Sequence, residues 1–461
     1  MFRKKFKNIH FIGIGGSGMS GIAEVLLNLE FNVSGSDLKV TDVTKRLSRL
    51  GADIKIGHKK SNIENKNIDV VVTSTAVIKD NPEVLAAISQ KIPVIPRAEM
   101  LAELMRLKYS IAIAGCHGKT TTTSMASLIL ANAGLDPTVV IGGRFNNFGT
   151  GAKLGKGEYL VAEADESDGS FLKLFPTFAV VTNIDDDHLD YYGSLENIKS
   201  AFVEFINKIP FYGCAILCND DENLKSIIHK ISRKYYTYGF NDSADFKAEN
   251  IKPTIMGSRF DVSFHSKKLG TIELKVPGRH NILNALASII CGYELEIKFS
   301  KIRNALLEFS GVGRRLEKRG SYKNVLFLDD YGHHPTEIKA TLSAIRSINM
   351  HRRLFVLFQP HRYTRTQLLK DKFGKVFDDA DVIRILDIYA ASEKPIPGIS
   401  SQTIIDSIRT NNGSKDLTKF SDIKNTVKEI KDGDVIVTLG AGDIWKKGDE
   451  ILKILNENKP F

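Results

Sequence analysis

The stretch AIAGCHGKTTTTS, residues 112–124, decides the fold of the middle of this chain. Its first three residues end the short apolar run 109–114, which predicts a buried strand. Gly115 and Gly118 then allow a tight turn, because glycine tolerates positive φ. A helix with an apolar face follows, and Gly134 suits the position just after its last turn. The pattern therefore predicts strand, glycine turn and helix in succession.

Such a turn is typical of a phosphate site. Backbone N–H groups at the start of a helix, together with the helix dipole, bind anions. Lys119 adds a positive charge for the outer phosphates, and the hydroxyl of Thr120 suits Mg²⁺. The motif reads G-x-x-G-K-T-T, because Ile113 stands where a full Walker A motif has its first glycine. A chance glycine turn beside a surface lysine is the alternative, but strand, turn, Lys-Thr pair and helix agree with one another.

Composition excludes some classes of function. The chain has 461 residues and a formal net charge of +10, yet no basic block with interleaved aromatic residues suggests a nucleic acid. No segment is long enough to cross a membrane, and the basic N-terminus is followed by glycines instead of a signal-peptide core. We expect a cytoplasmic protein, monomer or homodimer, with no membrane partner. The four cysteines lack C-x-x-C or zinc spacing and predict reduced thiols: Cys116, Cys214, Cys218 and Cys291.

Three α/β segments are expected, at residues 1–107, 108–312 and 313–461. The first and third alternate strands with helices, so we predict Rossmann-like α/β domains, the first of them with a parallel sheet. The second carries the phosphate turn and a patch that favours antiparallel strands, so we predict a P-loop ATPase-like domain with a mixed sheet. Strands are predicted at 8–14, 31–36, 70–73, 93–95, 109–114, 159–164, 178–182, 214–217, 325–330, 354–358, 381–386 and 434–440.

The first segment has a second glycine turn. GIGGSG, residues 13–18, matches G-x-G-x-x-G after a strand, and Asp37 follows at the end of the next predicted strand. The pattern indicates a pyrophosphate at a helix N-terminus. It does not choose NAD over other nucleotides, and a turn needed only for packing is the bland alternative.

Acidic loops follow two predicted strands of the second segment. EADESDGSF, 163–171, places Glu163 at a strand end, where its carboxylate can bind Mg²⁺ directly or through water. For Asp165 and Glu166, a solvated loop is an equally good interpretation. NIDDDHLD, 183–190, contains His188, which oxygen-seeking Mg²⁺ does not by itself select.

Four later stretches carry candidate ligand residues. In GRHNILNA, 278–285, the carboxamides of Asn281 and Asn284 share a helix face and can pair with an adenine edge; helix capping by Asn281 is the alternative. RRLE at 314–317 lies on a flexible join, so an arginine there could reach a transferring phosphoryl group. DDYGHHP at 329–335 and QPHRYTRT at 359–366 both follow predicted buried strands, and the second carries His361, Arg362 and Arg365, which suit a carboxylate or phosphate. For each of these basic residues a solvated surface role is the alternative.

In this order, the stretches resemble the Mur ligase family over essentially the whole chain. The ordered set is specific, although each piece alone is not. One departure is Cys116, where the family usually has threonine; the backbone N–H groups of the turn do not depend on that side chain. Several relatives carry a carbamylated lysine where this chain has Val203, which fits the alanine-adding branch of the family.

The resemblance implies roles for particular residues. ATP is expected on the turn formed by Gly115, Cys116, His117, Gly118, Lys119, Thr120 and Thr121, with adenine on Asn281 and Asn284, the ribose on Asp330 and the γ-phosphate near Arg315. A UDP-sugar is expected on Gly15, Gly16, Ser17, Gly18 and Asp37. The implied Mg²⁺ ligands are Thr120, Glu163 and His188, and the implied catalytic residues are Lys119, His188, Arg315, His361 and Arg365.

The implied activity joins L-alanine to the carboxylate of UDP-N-acetylmuramate at the expense of ATP, in peptidoglycan precursor synthesis. Phosphorylation turns a poor electrophile into an acyl phosphate, which the amine then attacks. Two unit charges about 4 Å apart repel by about 4 kcal/mol at an effective dielectric near 20, so Lys119, Arg315 and Mg²⁺ are expected to act together.

Three alternatives remain open at this point. One is a recycling ligase of the same family that attaches a murein tripeptide to the same sugar nucleotide. Another is an NAD-dependent oxidoreductase that binds its cofactor at GIGGSG; this alternative gives the turn GCHGKTTT, residues 115–122, no function. The third is a non-catalytic UDP-sugar sensor controlled by ATP, which predicts binding without phosphate release.

Overall fold

Within the residues that it describes, the computed structural model contains three sheets, one in each predicted segment. This confirms the three-part α/β class, whereas the segment limits at 107 and 312 stay a prediction. The chain folds into two compact units, the first made of residues 1–250, 260–272 and 283–309 and the second of 251–259, 273–282 and 310–461. The structure describes residues 6–74, 76–78, 80–141, 152–254, 257–348, 352–391, 393–411 and 415–457, without the side chains of Ser17 and Asp190.

The first sheet has five parallel strands in the order β3-β2-β1-β4-β5. Its elements are β1 (Asn8–Ile12), α1 (Ser17–Asn28), β2 (Asn32–Asp37), α2 (Asp42–Arg49), β3 (Asp53–Ile56), β4 (Val70–Thr73), α3 (Pro82–Ser89), β5 (Val94–Pro96) and α4 (Arg97–Met105).

The glycine turn of this sheet lies at the carboxyl end of β1. β1 ends at Ile12, two residues earlier than predicted, because Gly13 adopts φ +76° and starts the turn. β2 extends one residue further than predicted, to Asp37, whose carboxylate accepts the N–H of Gly15 at 2.8 Å. Asp37 and the glycine turn, which the sequence pattern linked, are therefore in direct contact.

The second sheet has ten strands in the order β15-β14-β13-β12-β11-β10-β6-β9-β7-β8 and is mixed, since β7 and β8 pair antiparallel. Its strands are β6 (Tyr109–Ala114), β7 (Thr138–Val140), β8 (Ala152–Lys153), β9 (Tyr159–Glu163), β10 (Phe178–Val181), β11 (Cys214–Cys218), β12 (Tyr235–Gly239), β13 (Phe246–Pro253), β14 (Ser258–Phe264) and β15 (Lys267–Leu274). Its helices are α5 (Lys119–Asn132), α6 (Leu189–Tyr192), α7 (Leu195–Asn207), α8 (Glu222–Lys225), α9 (Arg279–Glu294) and α10 (Phe299–Glu308).

The predicted strand–turn–helix unit is present in this sheet. β6 lies between β9 and β10, parallel to both, and its residues 110–114 are buried. A glycine turn leads into α5, which ends at a C-cap on Ala133 before Gly134 at φ +87°. Because all three strands run the same way, their carboxyl ends meet at one edge, where parallel sheets bind ligands.

The third sheet has six strands in the order β16-β17-β21-β18-β19-β20. The first pair is antiparallel and the others are parallel, so this sheet is mixed. Its elements are β16 (Glu317–Tyr322), β17 (Val325–Asp330), α11 (Pro335–Ile348), β18 (Leu354–Phe358), α12 (Tyr363–Phe373), β19 (Val382–Ile385), α13 (Ser401–Asn411), β20 (Asp416–Lys419), α14 (Ile423–Glu429), β21 (Val435–Leu439) and α15 (Trp445–Glu457).

Apolar clusters cover both faces of the third sheet. On one face, Val356 and Val437 pack with Leu342 of α11; on the other, Phe355 and Ile436 pack with helix residues of the opposite layer. Burial on both faces explains why these strands read as continuous apolar runs. Among the described residues, no helix combines the length and the apolar character that crossing a bilayer requires.

Candidate functional site

The turn between β6 and α5 requires glycine at two positions. Gly115 has φ +125°, and a β-carbon there would overlap the hydroxyl of Thr182 and lie 3.1 Å from backbone atoms of Asn183. Gly118 has φ +84°, and a β-carbon there would lie 2.5 Å from the carboxamide oxygen of Asn284. Both the backbone angle and the space therefore exclude a side chain.

Asn183, to which the sequence analysis gave no role, fixes the shape of this turn. Its side-chain oxygen accepts the N–H of His117 at 2.9 Å, its side-chain nitrogen donates to the carbonyl of His117 at 2.9 Å, and its carbonyl accepts the N–H of Cys116 at 3.4 Å. The N–H groups of Cys116 and His117 are thus used inside the protein. The donors left for an anion are those of Gly118 and the first turn of α5, a helix that begins without a side-chain cap.

Lys119 does not point into open solvent. Its ammonium donates to both carboxylate oxygens of Glu166, at 2.8 and 2.7 Å, and to the carbonyl of Gly115 at 2.7 Å. Burial lowers the pKa of Lys119, but the charges of Glu166 and Asp165 outweigh this and hold the pKa above its ordinary value. Lys119 therefore keeps its positive charge at neutral pH.

Glu166 is a buried residue of the site and not part of a solvated loop. It is 2% exposed, and the Tyr192 hydroxyl donates to its backbone carbonyl at 2.6 Å. Nε2 of His188 lies 3.8 Å from a carboxylate oxygen of Glu166. His188 has φ +57°, an uncommon backbone conformation outside glycine that recurs at functional sites. The structure thus brings together Lys119 and His188, both predicted, around the carboxylate of Glu166, for which a solvated loop had been an equally good interpretation.

Cys116 lies against the 182–188 loop. The N–H of Asp185 donates to its sulfur at 3.1 Å. Burial, together with the negative charges of Glu166 and Asp187, raises the pKa of this thiol well above its ordinary value. A thiol with a raised pKa forms little thiolate, so Cys116 is a poor nucleophile at neutral pH although it sits in the phosphate turn.

The oxygen donors predicted for Mg²⁺ fit that ion. Thr120 is half-buried in the first turn of α5, and Glu163 is the last residue of β9, paired in register with Ile113 of β6. Hydroxyl and carboxylate oxygens are the ligands that Mg²⁺ prefers, whereas the imidazole of His188 is not. Thr120 and Glu163 are therefore suited to the ion by their chemistry, and a direct bond from His188 rests on the resemblance alone.

The two asparagines proposed for adenine lie in α9. The helix starts at Arg279, so Asn281 is inside it and does not cap it; that alternative is wrong. Asn281 is 8% exposed, and its side chain donates to the carbonyl of Pro277 at 2.7 Å. The side-chain oxygen of Asn284 accepts the hydroxyl of Thr122 at 3.2 Å and lies over Gly118. Asn284 is thus placed at the phosphate turn, and adenine contact stays a prediction for both.

The turn of residues 15–18 has the form expected for an anion. Gly16 is the N-cap of α1, no side chain caps the helix, and its first turn has no acidic residue. Asp37 uses one oxygen to hold the Gly15 N–H, so it shapes the turn. Contacts of Gly15, Gly16, Ser17, Gly18 and Asp37 with a nucleotide stay predictions.

In the second unit, two adjacent arginines have different surroundings. Arg315 donates to Glu337 at 3.1 Å and is 30% exposed, next to the ring of Tyr331. Arg314 donates to the fully buried Asp329 at 2.9 Å and to two carbonyls of the loop after β21, at 2.6 and 3.0 Å. Arg315 can therefore reach a ligand by leaving one partner, whereas Arg314 is a structural residue.

His361 and Arg365 lie beyond the carboxyl end of β18. Nδ1 of His361 is 3.2 Å from a guanidinium nitrogen of Arg365, and the imidazole stacks on Tyr389 with ring centres 5.7 Å apart. The ring of His333 lies 5.5 Å from that of His361, and the backbone N–H of His333 donates to Glu337 at 3.1 Å. The predicted catalytic residues of this unit, Arg315, His361 and Arg365, thus line the same edge of the third sheet.

Asp330, the predicted ribose contact, is the last residue of β17 and is 5% exposed. Its two oxygens accept the N–H groups of Leu316 and Gly332, each at 2.8 Å. Burial raises the pKa of Asp330 to about 6, although Arg315 and these N–H groups favour the carboxylate. Asp330 holds the 314–317 loop in place, and its contact with a ribose stays a prediction.

The raised pKa of Asp330 predicts a specific pH dependence of stability. The folded carboxyl keeps its proton up to about pH 6, whereas the unfolded one loses it near pH 4. Its stabilising effect is present below about pH 4 and is lost as pH rises through about 6. Relative to Asp330→Asn, the free energy of unfolding should fall by roughly 3 kcal/mol over that range. Urea unfolding at a series of pH values measures this; two parallel pH profiles would contradict it.

Comparison with known proteins finds a family model for each of three successive parts of the chain. The model of the Mur ligase family catalytic domain matches residues 8–109, that of the Mur ligase middle domain matches 113–292, and that of the Mur ligase glutamate ligase domain matches 314–442. Each match falls on one of the three sheets described above.

Whole proteins match along their full length. A UDP-N-acetylmuramate–L-alanine ligase of Endomicrobium trichonymphae is 56% identical over 455 residues, which are 99% of this chain and 100% of that protein. The crystal structure of a UDP-N-acetylmuramate–alanine ligase of Thermotoga maritima has a TM-score of 0.82 at 29% identity, covering 98% and 100% of the two chains. A murein peptide ligase of Psychrobacter arcticus has a TM-score of 0.72 at 26% identity, covering 99% and 100%. The chain described here belongs to the Mur ligase family.

Proposed function

We propose that this chain joins L-alanine to the carboxylate of UDP-N-acetylmuramate, with ATP converted to ADP and phosphate, in the synthesis of the peptidoglycan precursor. The structural observation that carries the proposal is the charged Lys119 at the start of α5, held by Glu166 beside a glycine turn with N–H donors left for phosphate. The 56% identity to a relative of that name supports the choice of substrates.

The reaction needs positive charge because it brings a carboxylate to a polyanion. At about 4 Å and an effective dielectric near 20, each pair of like unit charges costs about 4 kcal/mol. Lys119 supplies one compensating charge from the glycine turn, and Arg315 supplies another from the second unit. Both cations are paired with carboxylates, Lys119 with Glu166 and Arg315 with Glu337. The phosphates of ATP, which are also negatively charged, replace these carboxylates as partners.

Two covalent steps follow in this proposal. A carboxylate oxygen of the muramic acid attacks the γ-phosphorus, the bond to the bridging oxygen breaks and ADP leaves. The amine of L-alanine then attacks the acyl carbon of the resulting acyl phosphate, and inorganic phosphate leaves after the nitrogen has lost a proton. Lys119 and Arg315 stabilise charge on the transferring group, and His361 and Arg365 act at the reacting end.

The remaining residues bind and orient the substrates. The sugar nucleotide lies on the turn Gly15–Gly18, and ATP lies on the turn Gly115–Thr121 with adenine against Asn281 and Asn284. Thr120 and Glu163 are suited to hold Mg²⁺, with His188 nearby. Bound there, the ion would neutralise phosphate charge and polarise the P–O bonds.

The test is phosphate release from ATP and Mg²⁺ with UDP-N-acetylmuramate and each amino acid in turn. We expect release that depends on both the sugar nucleotide and L-alanine. With oxygen-18 in the sugar's carboxylate, one label should appear in the released phosphate. Unlabelled phosphate would rule out the acyl phosphate, and release without any amino acid requirement would rule out the ligase.

One alternative substrate has an observation in its favour. The structural similarity to the murein peptide ligase of Psychrobacter arcticus suggests a tripeptide in place of L-alanine. Offering both amines to the same preparation separates the two proposals, since the enzyme proposed here should use L-alanine and leave the tripeptide unreacted. We also propose the cytoplasm as its compartment, in line with four cysteines that are all free.

A further inference from the structure

We infer that Arg97 is a further residue of the sugar-nucleotide site, whose guanidinium binds the pyrophosphate when the nucleotide is present and Asp165 when it is absent. The inference rests on the proposed function, because it requires a UDP-sugar on the turn Gly15–Gly18. Neither a motif nor the resemblance assigned Arg97 a role.

Arg97 stands directly over that turn. It is the first residue of α4, immediately after β5, and so lies at the carboxyl edge of the first sheet, where such sheets bind ligands. A β-carbon placed on Gly18 would overlap a guanidinium nitrogen of Arg97 and lie 3.0 Å from its Cζ. The guanidinium therefore faces the first turn of α1, which has neither an acidic residue nor a side-chain cap.

The other partner of Arg97 is Asp165 in the acidic loop after β9. A guanidinium nitrogen donates to one carboxylate oxygen of Asp165, and the N–H of Ser167 donates to the other at 3.1 Å. The carboxylate of Asp165 therefore competes with a bound anion for the guanidinium of Arg97.

Exchange between the two partners is favourable for a physical reason. The side chains of Arg97 and Asp165 are 27% and 36% exposed, and ion pairs this accessible contribute little to stability. A pyrophosphate offers two negative charges and several oxygens to the planar fork of arginine, which makes bidentate hydrogen bonds. The ligand is thus the stronger partner.

The ion pair is not needed to hold α4 in place. The helix packs on α1 and on the 3-10 turn Ser170–Lys173. A second ion pair, Lys173 to Glu99 at 3.5 Å, joins the 3-10 turn to α4. Glu99→Gln is therefore a matched control, which breaks an ion pair of the same kind without touching the sugar-nucleotide site.

The experiment is calorimetric titration of UDP-N-acetylmuramate into the full chain without ATP or L-alanine. Arg97→Ala should weaken binding by about 10- to 100-fold, the range for losing charged hydrogen bonds, and Arg97→Lys by less. Asp165→Asn should tighten binding, because it removes the competing charge while its amide oxygen still accepts the Ser167 N–H. Glu99→Gln should leave affinity unchanged. Thermal melting checks the fold of each variant, and if Arg97→Ala does not fold, Arg97→Lys and Asp165→Asn decide.

The opposite signs for Arg97 and Asp165 separate ligand binding from a structural role. If both substitutions weaken binding alike, the ion pair only supports the fold and the inference is wrong. UDP-N-acetylglucosamine has the same pyrophosphate without the lactyl carboxylate, so Arg97→Ala should lose the same factor for both nucleotides; a loss confined to UDP-N-acetylmuramate would also overturn the inference. Failure of the unmodified chain to bind UDP-N-acetylmuramate would instead contradict the proposed function.

Discussion

Replacing Lys119 by methionine should lower kcat for ligation by about a thousandfold or more, with a smaller effect on binding of the sugar nucleotide. The ammonium is the cation of the phosphate turn, and loss of a single stabilising group in comparable sites costs 10²- to 10⁵-fold, approximately. Methionine keeps most of the length and volume of the side chain, so the space that the lysine stem fills stays occupied. Steady-state phosphate release and single-turnover formation of ADP measure the loss.

The ion pair with Glu166 gives this variant a second effect. Without Lys119, the carboxylate of Glu166 is 2% exposed and loses its main counter-charge. Removing one member of a buried ion pair typically costs about 3–5 kcal/mol of stability, so Lys119→Met should also unfold more easily.

The double variant Lys119→Met with Glu166→Gln separates the two effects. Its amide needs no counter-charge, so much of the lost stability should return, whereas ligation should stay as slow as in the single variant. Recovery of ligation together with stability would show that Lys119 acts through the fold alone. That outcome would remove it from the catalytic residues.

Replacing Arg315 by alanine should lower kcat by about 10²- to 10³-fold, as expected for a cation that stabilises the transferring phosphoryl group. The fold should lose less stability than in the Lys119 variant, because the side chain of Glu337, 10% exposed, still accepts the N–H groups of His333 and His334 at 3.1 and 3.3 Å. The KM for ATP and kcat should be measured together. A change confined to KM would indicate ground-state binding and not catalysis.

Arg314→Ala is the matched control for that variant. Arg314 has the same chemistry one residue earlier, but it neutralises the fully buried Asp329 and holds two carbonyls after β21. Its loss should lower the free energy of unfolding by about 3–5 kcal/mol, because a buried charge is left unpaired. Equal losses of turnover and stability in the two variants would contradict the separate roles of Arg314 and Arg315.

Much of the fold was predictable because its signals are local. Continuous apolar runs predicted buried parallel strands, and the two glycine turns occur where the backbone needs positive φ, at Gly13, Gly115 and Gly118. The predicted strands are all present and differ from the observed ones only at their ends, but several short strands were not predicted, among them β3 and β20. For example, β1 ends at Ile12 and α9 begins at Arg279. The ends of strands and helices depend on hydrogen bonds to neighbouring elements, which the local sequence pattern does not specify.

The candidate site was predictable only in part. Lys119, His188, Arg315, His361 and Arg365 stood out by their motifs, and the structure places the first two around one carboxylate and the other three along one sheet edge. Glu166 lay inside a quoted motif and Glu337 lay two residues after one, but nothing in the pattern distinguished a buried acceptor from a solvated carboxylate. For Arg97 the one available signal was its position directly after a parallel strand.

By itself, the sequence determined the three-sheet α/β fold, the two glycine turns and the cations beside them, because strand burial, helix starts and positive φ depend on residues close in the chain. Tertiary structure alone decided which partners those cations have: Glu166 for Lys119, Glu337 for Arg315 and Asp165 for Arg97. Each of these pairs joins residues 22 or more positions apart. Residues this far apart in sequence come into contact only when separate elements pack together. Packing also sets how deeply each charge is buried, and burial determines the strength of its electrostatic interactions.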